Sequence, residues 1–197
     1  FEGKEADALT FENGTLSDGS QTLSFAELLD KLQRGMAEGE ASAAPGDEQD
    51  KFSFRSFGAH FVEIRWDPGI SRLRVSRVVS TIDIGRAINP LTARNQVEGS
   101  IVMGMGMGMF EETEYDPAGN IYNNNYADYI VPVHADIPDI EVELLDNPDF
   151  NFNEFGARGV GEIGITGMAA AISNAVYHAT GKRIRDMPIK IADLIAS

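Results

Sequence analysis

Cysteine is absent from this chain of 197 residues, and histidine occurs only three times. Without a thiol the chain can form no disulfide, no thiolate nucleophile and no zinc or iron–sulfur centre with cysteine ligands. His60, His134 and His178 lie far apart in the sequence, and no two of them have the spacing of metal ligands. We therefore expect the three imidazoles to lie at the surface or to be hydrogen-bonded residues of the core.

Long apolar runs and an excess of positive charge are also missing. No segment approaches the roughly 18 to 20 consecutive apolar residues that a membrane span needs. Lysine and arginine number 16 against 31 acidic residues, a net charge of −15, which argues against binding to a phosphate backbone. The start, FEGKEADALTF, has neither an initiator methionine nor a signal-peptide pattern. We expect a processed or truncated piece of a longer protein, located in the cytoplasm, with the periplasm as the alternative.

What is present is a globular composition, with 43% apolar and 24% charged residues. Residues 1–39 predict a hairpin, from strands at 8–11 and 21–23, followed by a helix over 24–39 in which Ser24 and Glu27 have capping-box spacing. Residues 40–50 (EASAAPGDEQD) have no apolar periodicity and predict a mobile acidic loop. Residues 51–197 form the main domain.

This main domain mixes strands and helices without a regular βαβ alternation. It predicts an α+β fold, with a mixed or antiparallel sheet and packed helices. Strands are expected at 57–66, 73–79 and 140–145. Helices are expected at 90–112, with Asn89 as its N-cap, at 166–180 and at 189–196.

The segment IVMGMGMGMF, 101–110, puts unusual glycines inside a predicted helix. Gly99, Gly104, Gly106 and Gly108 each cost about 1 kcal/mol relative to alanine, so some close approach must offset about 4 kcal/mol. One interpretation is tight helix packing through Gly104 and Gly108, with the methionines in the core. The other places one end of the helix at a cofactor, with the Gln96 amide toward it.

The second unusual segment is GARGVGEIG, 156–164. Its glycines match a dinucleotide-binding fingerprint, but that fingerprint needs a buried strand directly before it, and NPDFNFNEFGAR is not one. Glu162 is the single acid of this loop. Burial would raise the pKa of its carboxyl and suit it to proton transfer; alternatively, it is an acid at a helix start, stabilised by the helix dipole. Arg158 could either neutralise Glu162 or guide an anionic group.

Three separated blocks carry a family resemblance over about residues 56–190. They are SFGAHFVEIRWDPGISRLRVSRVVSTIDIGRAINP, QVEGSIVMGMGMGMFEE, and GARGVGEIG with the later AAAISNAVYHATGKRIRD. Together they resemble the C-terminal part of the molybdopterin-binding subunit of molybdenum hydroxylases, the xanthine dehydrogenase and aldehyde oxidase family. Bacterial aldehyde and N-heterocycle oxidoreductases are the most similar in character.

The resemblance implies roles for particular residues. Glu162 matches the catalytic glutamate, a general base in hydroxylation with water-derived oxygen. Gln96 matches a glutamine beside the molybdopterin cofactor, and Gly159 and Gly161 match glycines that let the backbone approach it. No residue of the chain is implied as a direct metal ligand, because the pterin dithiolene holds the molybdenum. The implied electron carriers, [2Fe–2S] clusters and FAD, lie on partner domains or subunits.

Large subunits of this family are several times longer than this chain. We therefore expect a fragment or one chain of a split subunit, which needs the remaining molybdopterin-binding segments and the iron–sulfur and flavin subunits as partners. The implied function is hydroxylation of an aldehyde or N-heterocycle, with the isolated chain inactive. The alternative is a non-catalytic scaffold or assembly domain that keeps the fold while Glu162 is idle.

Overall fold

The computed structural model describes residues 1, 3–40, 42, 44 and 46–195. Contacts divide the chain into two compact units, Phe1–Pro45 and Gly46–Ser197. Residues 41, 43 and 45 of the expected mobile loop, and residue 196 of the expected last helix, lie outside the described residues. The end of the expected loop is helical instead, since Glu48–Lys51 forms one turn, α2. An Asp47–Lys51 ion pair at i,i+4 spacing accompanies this turn.

The first unit contains three short antiparallel strands, β1 (Thr10–Glu12), β2 (Thr15–Ser17) and β3 (Thr22–Ser24), in the order β1–β2–β3. The expected two-stranded hairpin was therefore wrong. Asn13 and Gly14 both have positive φ, 48° and 74°, so they form a tight turn between β1 and β2. The segment that was expected to be a loop between two strands therefore contains a strand of its own, β2.

The helix that follows, α1 (Phe25–Lys31), begins with the expected capping box. The Ser24 hydroxyl accepts a hydrogen bond from the Glu27 N–H at 3.2 Å, and the Glu27 carboxylate accepts one from the Ser24 N–H at 2.9 Å. The helix ends well before residue 39, because Gln33 adopts a left-handed φ of 53°.

The main unit is built on a three-stranded sheet in the order β4–β5–β6. Strands β4 (Phe57–Asp67) and β5 (Arg72–Asp83) are antiparallel, whereas β6 (Asp139–Leu145) runs parallel to β5. This confirms the expected mixed sheet. Strand β5 extends to Asp83, four residues beyond the expected end, and the ends of β5 and β6 meet at one edge of the sheet because the two strands are parallel.

Besides α2, the described residues of this unit form three further α-helices: α3 (Pro90–Met109), α4 (Met168–Thr180) and α5 (Ile191–Ile195). The core lies between the sheet and helices α3 and α4. Its fully buried members include Val78 and Ile82 of β5, Ile101 of α3 and Ile172 of α4.

The glycines of α3 do permit tight helix packing, as one interpretation predicted. A Cβ on Gly104 would lie 2.6 Å from the Met168 Cβ, and one on Gly108 would lie 3.4 Å from the Ala169 Cα. The expectation that all methionines are core was wrong, since Met105 is buried while Met103 and Met107 are exposed. Residues two apart on a helix lie about 200° apart, so the orientation that buries Met105 turns Met103 and Met107 away from the core.

Candidate active site

The candidate site forms at the edge where β5 and β6 end. Asp83 ends β5, and the chain then continues through residues 84–89 into α3. The Asn89 side chain accepts a hydrogen bond from the Thr92 N–H at 3.2 Å, as expected for the N-cap. This start places Gln96 in the second turn of α3, on its exposed side.

The loop 156–164 returns to this same edge. The Arg158 N–H donates to the Ile84 carbonyl at 2.7 Å, and the Arg86 N–H donates to the Gly156 carbonyl at 2.8 Å. Gly156 has a φ of 69°, in the left-handed region that favours glycine. These two bonds attach the start of the loop to the segment that leads into α3.

Side chains hold the loop's carbonyl groups at two further points. The Ser56 hydroxyl donates to the Gly159 carbonyl at 2.6 Å, and the Gln96 amide nitrogen donates to the Gly161 carbonyl at 2.8 Å. Ser100 supports the second point, because its hydroxyl lies 2.7 Å from the Gln96 carbonyl and 3.3 Å from the Gly161 carbonyl. Gln96, Gly159 and Gly161, which the sequence placed in one site, therefore come together in the structure.

The glycines of this loop differ in what surrounds them. A Cβ on Gly164 would lie 2.7 Å from the Val97 carbonyl oxygen and 2.8 Å from the Ser100 Cβ, so Gly164 lets the loop press against α3. A Cβ on Gly159 or Gly161 would meet no atom within 4 Å, and neither residue has a positive φ. Neither packing nor backbone conformation within the described residues requires glycine at these two positions, which leaves open surface above the loop.

Glu162 directly follows Gly161 and is exposed. Its carboxyl is therefore not buried by the described residues, because no described element covers the outer side of the loop. The helix-start alternative was wrong. Helix α4 begins six residues later at Met168, its N-cap is Gly167 with a φ of 85°, and no acid lies in its first turn. Glu162 instead takes part in a turn through its carbonyl, which accepts from the Ile165 N–H at 3.1 Å.

Arg158 does not pair with Glu162, so the first of its two alternatives was wrong; its charge is instead paired within the protein. Its side chain is 8% exposed and forms ion pairs with Asp83 and, at 2.9 Å, with Asp149. Burial raises the pKa of the Asp83 carboxyl, but hydrogen bonds from Asn147 and the Gly85 N–H, together with the Arg158 charge, outweigh it and hold the pKa below its usual value.

A cleft of about 360 Å³ opens beside these residues. Its walls come from the segment after β5, from the first turns of α3 and from the loop, and they include Asn89, Gln96, Arg158 and Gly161. The cleft thus joins the two halves of the candidate site. Among the residues that the structure describes, no group of three or more His, Asp or Glu side chains is placed to hold a metal ion.

Comparison with known proteins identifies the family. A family model described as a molybdopterin cofactor-binding domain matches residues 2–138, more than half of the chain. The chain belongs to this family. It is part of the molybdopterin-binding subunit of a molybdenum hydroxylase, as the sequence blocks indicated.

Similar proteins share both sequence and fold with this molybdopterin-binding chain. It is 39% identical over 194 residues to the aldehyde oxidoreductase molybdenum-binding subunit PaoC of Escherichia coli K12, a match that covers 98% of this chain and 26% of that protein. The aldehyde oxidoreductase structure from Desulfovibrio desulfuricans is 29% identical with a TM-score of 0.65, covering 71% of this chain and 15% of that one.

Quinoline 2-oxidoreductase from Pseudomonas putida 86 shares the fold, at 21% identity and a TM-score of 0.73, covering 95% of this chain and 25% of that one. The present chain thus spans about a quarter of the length of the Escherichia coli subunit that it matches.

The residues of the site fit a molybdopterin cofactor that approaches the backbone. The open surface above Gly159 and Gly161 is what a group contacting the main chain needs. Both glycine carbonyls are held from the protein side by Ser56 and Gln96, so the loop does not depend on the cofactor for these hydrogen bonds.

Sequence reasoning missed the residues that support this loop. His60 lies under its far end, where a Cβ on Gly167 would be 3.9 Å from the His60 Cδ2. The ring Nδ1 lies 2.6 Å from the hydroxyl of buried Ser80. Burial lowers the pKa of His60, although backbone hydrogen bonds with Thr166 and Ile163 act in the opposite direction. His134 and His178 are exposed, so all three histidines agree with the expectation from sequence.

One sequence signal could have revealed the buried ion pairs. Asp83 stands between Ile82 and Ile84 at the end of an alternating strand. A charge in such a position requires a buried partner. The sequence does not show which of its cations supplies that partner.

Proposed function

We propose that this chain contributes the general base and part of the cofactor-binding surface of a molybdenum-dependent oxidoreductase that hydroxylates an aldehyde or an N-heterocycle. One observation carries the proposal. The Gln96 amide donates a 2.8 Å hydrogen bond to the Gly161 carbonyl, both residues line one cleft, and the exposed Glu162 directly follows Gly161. When bound, the molybdenum cofactor would supply the redox chemistry of the hydroxylation.

The chain's own residues hold the loop and receive a proton. The Gln96 amide and the Ser56 hydroxyl fix the loop from below, while Gly159 and Gly161 admit the cofactor from above. A carboxylate oxygen of Glu162 accepts the proton of the water-derived hydroxyl group as the oxygen of that group bonds to the substrate carbon. Similarity to PaoC favours an aldehyde substrate.

The proposal extends to the rest of the assembly. The remaining molybdopterin-binding segments complete the cofactor site, and iron–sulfur and flavin subunits carry the electrons away. Residues 1–39 form a separate small module that precedes the 51–197 domain in the sequence. The enzyme works in the cytoplasm. Among the residues that the structure describes, no helix is long and apolar enough to cross a membrane.

The test is Glu162→Gln in the complete enzyme. Glutamine keeps the shape of the side chain but cannot accept the proton, so we expect reduction of the molybdenum centre by substrate to slow by about 10² to 10⁴. Rapid-mixing spectroscopy measures this rate, with molybdenum content determined on the same sample. Glu154→Gln is the matched control, because Glu154 is an exposed acid of the adjoining turn.

The scaffold alternative makes the opposite prediction. If Glu162 is idle, the Glu162→Gln enzyme with full molybdenum content reduces its metal centre at the rate of the Glu154→Gln control. That result would refute the assignment of Glu162 as the base.

A further inference from the structure

One buried ion cluster joins the two segments that form the candidate site. Arg158 and Asp83 have side chains that are 8% and 2% exposed, and Asp149 is 20% exposed. In the other ion pairs of the described residues, at least one partner is more than a third exposed, as in the Arg77–Glu141 pair. Burial therefore sets the Arg158 cluster apart.

Asp83 is the centre of this cluster. Its carboxylate accepts hydrogen bonds from the Gly85 N–H at 2.9 Å and from the Asn147 amide at 3.0 Å, in addition to its pairing with Arg158. Asn147 follows β6 and Gly85 follows β5, so one side chain joins three segments of the chain at the sheet edge.

Stability alone is a weak explanation for such a cluster. A buried ion pair can often be replaced by apolar side chains without loss of stability, because the desolvation of the charges opposes their attraction. The Arg158 Nε is itself buried without a hydrogen-bond partner, so the arrangement is not optimised for satisfying every polar group. What the ion pairs do provide is a fixed geometry between segments that are distant in sequence.

The joined segments carry the two halves of the site. Asp83 precedes residues 84–89, which lead into α3 and Gln96. Arg158 stands four residues before Glu162, and its own N–H donates to the Ile84 carbonyl at 2.7 Å. Movement of the Arg158 side chain away from Asp83 would therefore shift the Glu162 loop relative to Gln96.

We propose that Arg158, held by Asp83 and Asp149, is a positioning residue that fixes the loop bearing Glu162 against the start of α3. The expected fall in kcat rests on the proposed function, whereas the expected effect on the position of the loop does not. Arg158 itself touches neither Glu162 nor the open glycine surface; it acts through the backbone of residues 158–161.

The experiment uses the complete molybdenum enzyme with three variants. Arg158→Gln leaves Asp83 buried without its cation and so serves only to show that the pair matters for folding. Asp83→Asn combined with Arg158→Gln removes both charges, which relieves that penalty. Arg77→Gln is the matched control, because it breaks an exposed arginine–carboxylate pair in the middle of the same strand.

We expect the double variant to recover much of the thermal stability lost in Arg158→Gln and to retain its molybdenum. Its kcat falls by about tenfold to 10²-fold with little change in KM, since a misplacement of roughly 1 Å can cost that much in rate. Hydrogen exchange of the amides of residues 86 and 158, which donate to the Gly156 and Ile84 carbonyls across the two segments, becomes faster than in the wild type, whereas Arg77→Gln changes neither quantity.

A double variant with wild-type exchange at the amides of residues 86 and 158 and wild-type kcat would overturn the proposal and leave the cluster a purely structural feature. If the double variant does not fold, Arg158→Lys is tested instead, since lysine keeps the charge but cannot pair with both carboxylates in the geometry of arginine. Faster exchange of the same amides in this variant supports the positioning role, whereas unchanged exchange and unchanged kcat refute that role. Because exchange is read independently of turnover, a failure of the Glu162 assignment leaves this test of loop positioning intact.

Discussion

Gly161 and Gly164 lie three residues apart in the same loop, yet the structure predicts opposite effects for the same substitution. A Cβ on Gly161 would meet open space, whereas one on Gly164 would lie 2.7 Å from the Val97 carbonyl oxygen and 2.8 Å from the Ser100 Cβ. Distances this short force α3 or the loop to shift. The single variants Gly161→Ala and Gly164→Ala therefore distinguish a glycine that leaves room for a ligand from a glycine that is needed for packing.

The two free-energy changes follow from these surroundings. Overpacking of a close contact costs typically about 1–3 kcal/mol, so Gly164→Ala should destabilise the fold by that amount. Gly161→Ala introduces no clash and no strained φ, and the loss of backbone freedom in the unfolded chain makes it neutral or more stable by up to about 1 kcal/mol. Gly161→Ala also keeps the carbonyl that Gln96 binds.

The assay compares thermal unfolding of the cofactor-free enzyme with the cofactor content of the complete enzyme, because a bound cofactor itself raises the melting temperature. For Gly161→Ala we expect an unchanged or higher melting temperature of the cofactor-free enzyme. We also expect a clear loss of molybdenum and pterin from the complete enzyme, because the added methyl group occupies the surface that the cofactor would approach. Gly164→Ala should instead lower the melting temperature. A Gly161→Ala enzyme with full molybdenum and pterin content would refute the placement of the cofactor above this loop.

Two further predictions concern pH and the isolated chain. Burial lowers the pKa of His60 in the folded state, so between that pKa and the ordinary value of 6.5 the unfolded state binds more protons. The stability of the fold should therefore fall as the pH drops below about 6.5. Thermal unfolding of the complete enzyme at several pH values measures this, and the decline should be weaker in His60→Gln. An equal decline in the wild type and in His60→Gln would contradict the prediction. Residues 1–197 expressed alone should hold no stoichiometric molybdenum and oxidise no aldehyde, because the chain covers 26% of the relative PaoC; elemental analysis checks this, and a full equivalent of metal would contradict it.

Local patterns predicted most of the elements of the main unit. The alternation in residues 57–66 predicted β4, and the Asn89–Pro90 pair predicted the start of α3, because strand faces and helix caps depend on residues only a few positions apart. Errors fell where a local signal was weak. The strand β2, only three residues long, was missed, and the expected helix from residue 24 to 39 ended at Lys31.

For the candidate site too, some residues were predicted from the sequence and others were not. Glu162, Gln96, Gly159 and Gly161 were found from the sequence through a family resemblance. In the structure Gln96 and Gly161 line one cleft, and Gly159 and Glu162 belong to the same loop as Gly161. Their supports were not found. The Ser56–Gly159 and Arg158–Asp83 contacts join residues 103 and 75 positions apart, and no local pattern encodes such pairings.

The sequence by itself thus determined most strands and helices of the main unit and which residues are candidates for chemistry. Only the tertiary structure decided that Arg158 is a buried partner of Asp83, that Glu162 is exposed and not a helix cap, and that Gly164 rather than Gly161 is required for packing. The physical reason is that periodicity reports whether a side chain faces the core or solvent, whereas the identity of its partner depends on how the parallel ends of β5 and β6 bring distant segments to one edge.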